Sequence, residues 1–128
     1  MPPESNDPGL LFEMLAAAEA VVRFVSSPTR QDYDSDELLR SAVERKVEII
    51  GEACRGLSKE LLEGHPEISW QKIRSTRNIL AHDYGRIDSD VMSRIATIHA
   101  PELIAQLENL IPPPPPDPEP ESDRTPPK

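Results

Sequence analysis

The chain predicts an all-α fold, an up-down bundle of four helices, and three observations predict it. Apolar residues recur at three- and four-residue spacing in four separate stretches. No stretch reads as a strand. Ser, Gly and Pro punctuate the intervals between the four stretches, leaving connections short enough to set successive helices side by side.

The first helix is predicted from about Leu10 to Val25, with Leu11, Met14, Leu15, Ala18, Val22 and Val25 at helical spacing; Ser26-Ser27-Pro28 ends it. The second begins near Asp34, whose carboxylate can cap the first turn while Glu37 favours the positive end of the macrodipole. It is expected to continue to about Leu62, closed by Gly64 and Pro66. Val43, Val47, Ile50, Cys54, Leu57 and Leu61 alternate by four and three along it, the spacing of a helix-packing seam. Ser69 is the expected cap of the third helix, and Gly85 its terminator. Asp88 caps the fourth, whose stripe of Val91, Ile95 and Ile98 resumes after Pro101 with Leu103, Leu107 and Leu110; Pro101 should kink or interrupt it.

The folding unit is therefore residues 10–111, a single small domain. Residues 1–9 read as unstructured, as does the acidic tail 112–128, which contains nine prolines and no large apolar residue. The single cysteine, Cys54, allows no internal disulfide, as fits a reducing compartment. No apolar run approaches the ~20 residues needed to span a bilayer, and no signal peptide is visible, so a soluble, cytoplasmic protein without a membrane partner is expected. A formal net charge of −9 speaks against a broad nucleic-acid footprint. The acid is unevenly spread, however. Between Trp70 and Arg94 five basic residues (Lys72, Arg74, Arg77, Arg86, Arg94) outnumber three acidic ones (Asp83, Asp88, Asp90). A local cationic site on an acidic body suits brief contact with one strand.

The most informative stretch is Arg77-Asn-Ile-Leu-Ala-His-Asp-Tyr84. At ~100° per residue, Trp70, Ile73, Arg77, Leu80 and Tyr84 share one stripe of the third helix. Four of the five belong in a core or an interface. Arg77 does not, because an unpaired buried guanidinium costs several kcal/mol. Asn78 and His82 share another face at i and i+4, about 140° from Arg77 in the case of His82, so that the amide can orient the imidazole.

This octapeptide resembles the signature of the HEPN ribonucleases, and its Arg-x4-His-x-Tyr form is similar to that of the HepT toxins. Val43-Glu-Arg-Lys-Val-Glu-Ile-Ile-Gly-Glu-Ala53 resembles the family's second helix, and His65-Pro-Glu-Ile-Ser-Trp70 its approach to the motif helix, with Ser69 where Pro is usual. The resemblance covers roughly residues 10 to 111. It implies a ribonuclease with Arg77 and His82 as catalytic residues, needing neither metal nor cofactor. The residue types suit that chemistry. An imidazole titrates near working pH and can take the proton of a ribose 2′-hydroxyl, while a guanidinium fork matches phosphate oxygens. The leaving oxygen needs an acid as well. One chain supplies one motif histidine and two chains supply two, and the resemblance implies a homodimer. It also implies a cognate antitoxin, a minimal nucleotidyltransferase that adenylylates Tyr84, placing bulk and negative charge beside Arg77 and His82.

Blander readings stand beside these. His82 can be only a favourable charge near a helix C-terminus, Arg77 can pair with a carboxylate of the second helix, and Tyr84 can simply finish a packing stripe. Glu44, Glu48 and Glu52 repeat every four residues; they form either a solvated face paired with Arg45 and Arg55, or, through Glu48 or Glu52 flanking Gly51, an anchor for Arg77. His65 and His99 read as surface residues, Tyr33 as a loop residue and Cys54 as core. Two functions follow: an RNA-cleaving toxin, with tRNA among its possible substrates, or a non-catalytic HEPN subunit that binds a nucleotidyltransferase or its substrate.

Overall fold

The computed structural model describes residues 6–82 and 89–111, the side chains of 77–82 excepted. Helix α1 spans Asp7–Phe24. It starts three residues earlier than the sequence suggests, so Asp7, Pro8 and Gly9 are helical rather than unstructured. The reason is local and tertiary at once. Pro8 sits in the first turn, where its fixed φ suits a helix and its missing N–H costs nothing. Asp7 accepts hydrogen bonds from the Ser58 backbone N–H (2.8 Å) and hydroxyl (2.6 Å), pinning this end to the turn at Ser58.

Helix α2 (Arg30–Ser35) stands where the sequence suggests a loop. Thr29 and Asp32 form a reciprocal capping box, each side chain accepting from the other's backbone N–H at 3.0 Å. This turn seats Tyr33 in the core, 7% exposed. Asp34 therefore does not cap the second long helix. Asp36 does, accepting from Leu39 N–H at 3.1 Å at the start of α3 (Glu37–Arg55). That helix also stops short of Leu62. Its last turn closes at Gly56, and Ser58 caps a separate helix, α4 (Lys59–Gly64), by accepting from Leu61 N–H at 3.2 Å. Leu57 stays buried between the two, so the apolar spacing runs on while the helix breaks.

Helix α5 (Trp70–His82) follows Ser69 directly, as expected. After residues 83–88, α6 (Ser89–Arg94) runs into a π-helical turn, Ile95–His99, and then into α7 (Ala100–Leu110). The interruption expected at Pro101 takes this π form. Proline has no N–H to offer the carbonyl four residues back, and its ring crowds that carbonyl. The widened turn bonds Ala100 N–H to Ile95 O instead.

The long helices alternate in direction. The start of α1 meets the end of α3 at Ser58, and the end of α3 meets the start of α5 through Cys54 and Trp70. Helix α1 packs on α3 and α7, and α3 packs on α5. One apolar cluster, around Met14, Cys54, Trp70 and Leu107, fills the end where α5 begins. A second, around Val21, Tyr33, Val43, Val47 and Met92, fills the other. The fold is the all-α, HEPN-like bundle, and among the described residues it contains no strand and no helix long and apolar enough to cross a membrane.

Candidate functional site

The motif helix is fastened at its first turn. Trp70 is buried, its indole N–H donates to the His65 carbonyl at 3.0 Å, and its own carbonyl lies 3.8 Å from the Cys54 sulfur on α3. The Trp70 N–H donates to Ile68 O (2.8 Å) and Ile73 N–H to Ser69 O (3.1 Å), so the loop and the helix share one hydrogen-bonded entry. The segment His65–Trp70 therefore acts as a latch. It uses the sole tryptophan, whose area dominates local burial and whose N–H needs a partner once buried.

From that latch α5 continues unbroken through His82, which places positions 77, 78 and 82 on one continuous helix. By helical phase, position 77 falls with Trp70 and Ile73, and positions 78 and 82 fall with Gln71 and Ser75 on a different side. Arg74, one turn before position 78, is half-buried and close enough to Cys54 to act on it: burial pushes the thiol up to about 11, and the Arg74 cation pulls against that rise. A cation is thus already accommodated where α5 meets α3. Tyr84 lies outside the described residues, as do Asp83, Arg86 and Asp88.

A family model, ribonuclease HepT-like, matches residues 14–110. The chain belongs to the HepT-like ribonuclease family. Among similar curated proteins, "Putative RNase MJ1380" of Methanocaldococcus jannaschii is 31% identical over 98 residues, 77% of this chain and 90% of that protein. "Putative RNase TTE0752" of Caldanaerobacter subterraneus subsp. tengcongensis is 30% identical, covering 79% of this chain and 90% of that protein. "Probable ribonuclease HepT" of Thermococcus cleftensis is also 30% identical, covering 78% and 91% respectively. No solved structure matches.

Helix α3, which packs on α5, carries Glu44, Glu48 and Glu52 at four-residue spacing. Glu48 and Glu52 are both partly exposed and share Arg45, whose guanidinium donates to Glu48 and lies 4.0 Å from Glu52. Arg45 is thus the described partner of both carboxylates. Glu44, one turn earlier, is half-buried, and burial raises its pKa while Arg40 opposes the rise. Gly51 is buried between Glu48 and Glu52, on the helix that packs against α5.

Other polar residues near α5 escaped the sequence reading. Lys72 and Thr76 on α5 face His99, Glu102 and Gln106 of the π turn and α7 across a cavity of about 430 Å³. Nothing in a local pattern pairs these two helices, because 23 or more residues separate the two groups. His99, expected to be an ordinary surface residue, is exposed but stands at the edge of this cavity, where the π turn puts it. His65 is half-buried, its Nδ1 3.2 Å from Glu67.

Proposed function

We propose that this chain is a metal-independent endoribonuclease toxin of a toxin–antitoxin pair, active as a homodimer on RNA, with tRNA among the substrates to test. His82 takes the proton of a ribose 2′-hydroxyl. The 2′-oxygen attacks the adjacent phosphorus, the P–O5′ bond breaks, and the His82 of the second copy returns a proton to the leaving 5′-oxygen. The products are a 2′,3′-cyclic phosphate and a 5′-hydroxyl end. Arg77 stabilises the charge gathering on the non-bridging oxygens. Asn78 orients the imidazole, and Glu48 or Glu52 helps to hold Arg77 from α3.

The observation that carries this reading is the continuity of α5: one helix, latched at Trp70, presents positions 77, 78 and 82 in a chain of the HepT-like ribonuclease family. The regulatory half is adenylylation of Tyr84 by a minimal nucleotidyltransferase antitoxin. It draws support from the other tyrosine. The chain has two, and Tyr33 has its hydroxyl buried away from solvent in the core, where no nucleotidyl donor reaches it.

The test is cleavage of a defined RNA by purified protein in the presence of a chelator, with end-group analysis. His82→Ala and Arg77→Ala should each cost about 10²-fold or more. Full activity in both variants, or abolition by chelator, overturns the mechanism. The net charge of −9 favours a second reading, a non-catalytic subunit that binds a nucleotidyltransferase or its substrate. Toxicity on expression without an antitoxin, lost in His82→Ala, decides for the enzyme.

A further inference from the structure

Among the described residues the bundle is not closed on all sides. Helix α1 packs on α3 and α7, and α3 packs on α5, but α5 and α7 are held apart along a seam. Near the Trp70 end the seam is bridged by Gln106 Nε2, which donates to the carbonyl of Glu67, in the loop leading into α5, at 3.5 Å. Above that point the seam opens into the cavity of about 430 Å³. Its walls are aliphatic, supplied by Val21, Val47, Ile50, Ile73, Ile95 and Leu103. Its polar groups sit on the two helices that flank the seam: Lys72 and Thr76 on α5, His99, Glu102 and Gln106 on the other side.

We propose that this seam receives one unpaired guanine base of the RNA strand being cut, a reading that rests on the ribonuclease assignment above. The volume falls in the ~300–1,000 Å³ range of small-molecule sites. It admits a base but not a duplex. A nucleobase has apolar faces and a hydrogen-bonding edge, which matches aliphatic walls with polar groups beside them. Proteins read RNA sequence chiefly from such unstacked bases.

The charges fix which way round the nucleotide lies. Lys72 is exposed and has no ion-pair partner among the described residues, so the α5 side suits phosphate. Glu102 repels phosphate, so the base edge faces α7, with His99 beside it at the outer end. A carboxylate is two adjacent acceptors. Guanine is the base whose pairing edge carries two adjacent donors, N1–H and the 2-amino group, so Glu102 can take both. The Gln106 amide, with one N–H directed to Glu67, keeps its other N–H for the guanine O6. The Thr76 hydroxyl donates to Lys72 O at 3.0 Å and retains lone pairs for a sugar hydroxyl. Thr76 directly precedes Arg77, so a strand whose base enters here passes its backbone over the start of the motif.

The test is a titration of isotope-labelled full-length protein with 5′-GMP, followed by amide chemical shifts, with 5′-AMP, 5′-CMP and 5′-UMP as comparisons. Saturable shifts at Lys72, Thr76 and Ile95–Gln106, with the other nucleotides at least tenfold weaker, are expected. Glu102→Gln, an exposed substitution, should leave the spectrum folded and weaken 5′-GMP at least tenfold. Equal affinity for all four nucleotides, shifts confined elsewhere, no saturation at millimolar concentration, or unchanged 5′-GMP binding in Glu102→Gln each overturns the proposal. The two readings separate cleanly. RNA cleavage that His82→Ala abolishes, without binding in the seam, keeps the ribonuclease and discards the guanine site. Binding in the seam without RNA cleavage keeps a nucleotide site and discards the ribonuclease.

Discussion

Tyr33 offers the sharpest quantitative test of the core. Its ring is 7% exposed, and its hydroxyl is buried with no hydrogen-bond partner among the described residues. A buried polar group left unsatisfied costs about 1–3 kcal/mol. Tyr33→Phe removes that group and keeps the ring against Val21, Val43 and Met92, so it should stabilise the fold by about 1 kcal/mol at neutral pH. For a folding unit near 100 residues this corresponds to a Tm rise of roughly 4–8 °C. The pH dependence sharpens the expectation. Burial, then the negative charge of Glu44, raises the phenol from 10.0 to about 12, with Arg40 opposing. Between those values the unfolded chain releases this proton and the folded chain keeps it. The folded state then binds more protons, and stability falls as pH rises through the window. Each pH unit is worth at most ~1.4 kcal/mol, so Tyr33 should cost the wild type about 1–2 kcal/mol in all across the window after discounting. Tyr33→Phe escapes that loss. Urea denaturation of both proteins at pH 7, 10 and 11 measures it, and other groups titrating there cancel in the difference. A variant less stable than wild type at pH 7, or a gap that does not widen with pH, would refute the reasoning.

Asp7→Ala removes two short hydrogen bonds to Ser58 and should cost about 2 kcal/mol, read as a lower urea midpoint with unchanged slope. Cys54, buried and raised to about 11, should react with a disulfide reagent at pH 8 far more slowly in the folded protein than in urea; equal rates would contradict its burial. Arg77→Lys should recover only part of the cleavage lost in Arg77→Ala, because an ammonium lacks the planar fork; full recovery would mean that charge alone suffices. Tyr84→Phe should abolish adenylate-sized mass increments after incubation with ATP and the partner nucleotidyltransferase, whereas Tyr33→Phe should not change them.

The sequence carried the long apolar stripes well, because α1, the middle of α3 and the second half of the last helix each bury one face. It carried the breaks poorly where two signals competed. Asp34 and Asp36 are both good caps, and only Tyr33 folding into the core decides for Asp36 by making residues 30–35 a helix of their own. The Thr29–Asp32 box uses Asp where Glu or Gln is the commoner partner at the third helical position, which hid it. At Gly56–Ser58 the apolar spacing continues through Leu57 and Leu61, and periodicity alone reads straight across a real break. The motif was legible as residues because its chemistry lies within eight consecutive positions. The seam was not, because Lys72 and Glu102 come together only through the packing of four helices.

The placement of charge on α5 bears on how an acidic protein can handle RNA at all. Lys72 and Arg74 precede the motif on the same helix, and two carboxylates of α3, Glu48 and Glu52, share Arg45. Position 77 follows Arg74 by three residues and falls in phase with Trp70 and Ile73. With those two carboxylates taken up by Arg45, the described cations of α5 are not offset by them. That imbalance is what a phosphate needs, and the net negative charge of the chain as a whole opposes wrapping by a long polyanion. Charge placed so favours brief contact with a single phosphodiester along α5 over a strand bound along the whole surface.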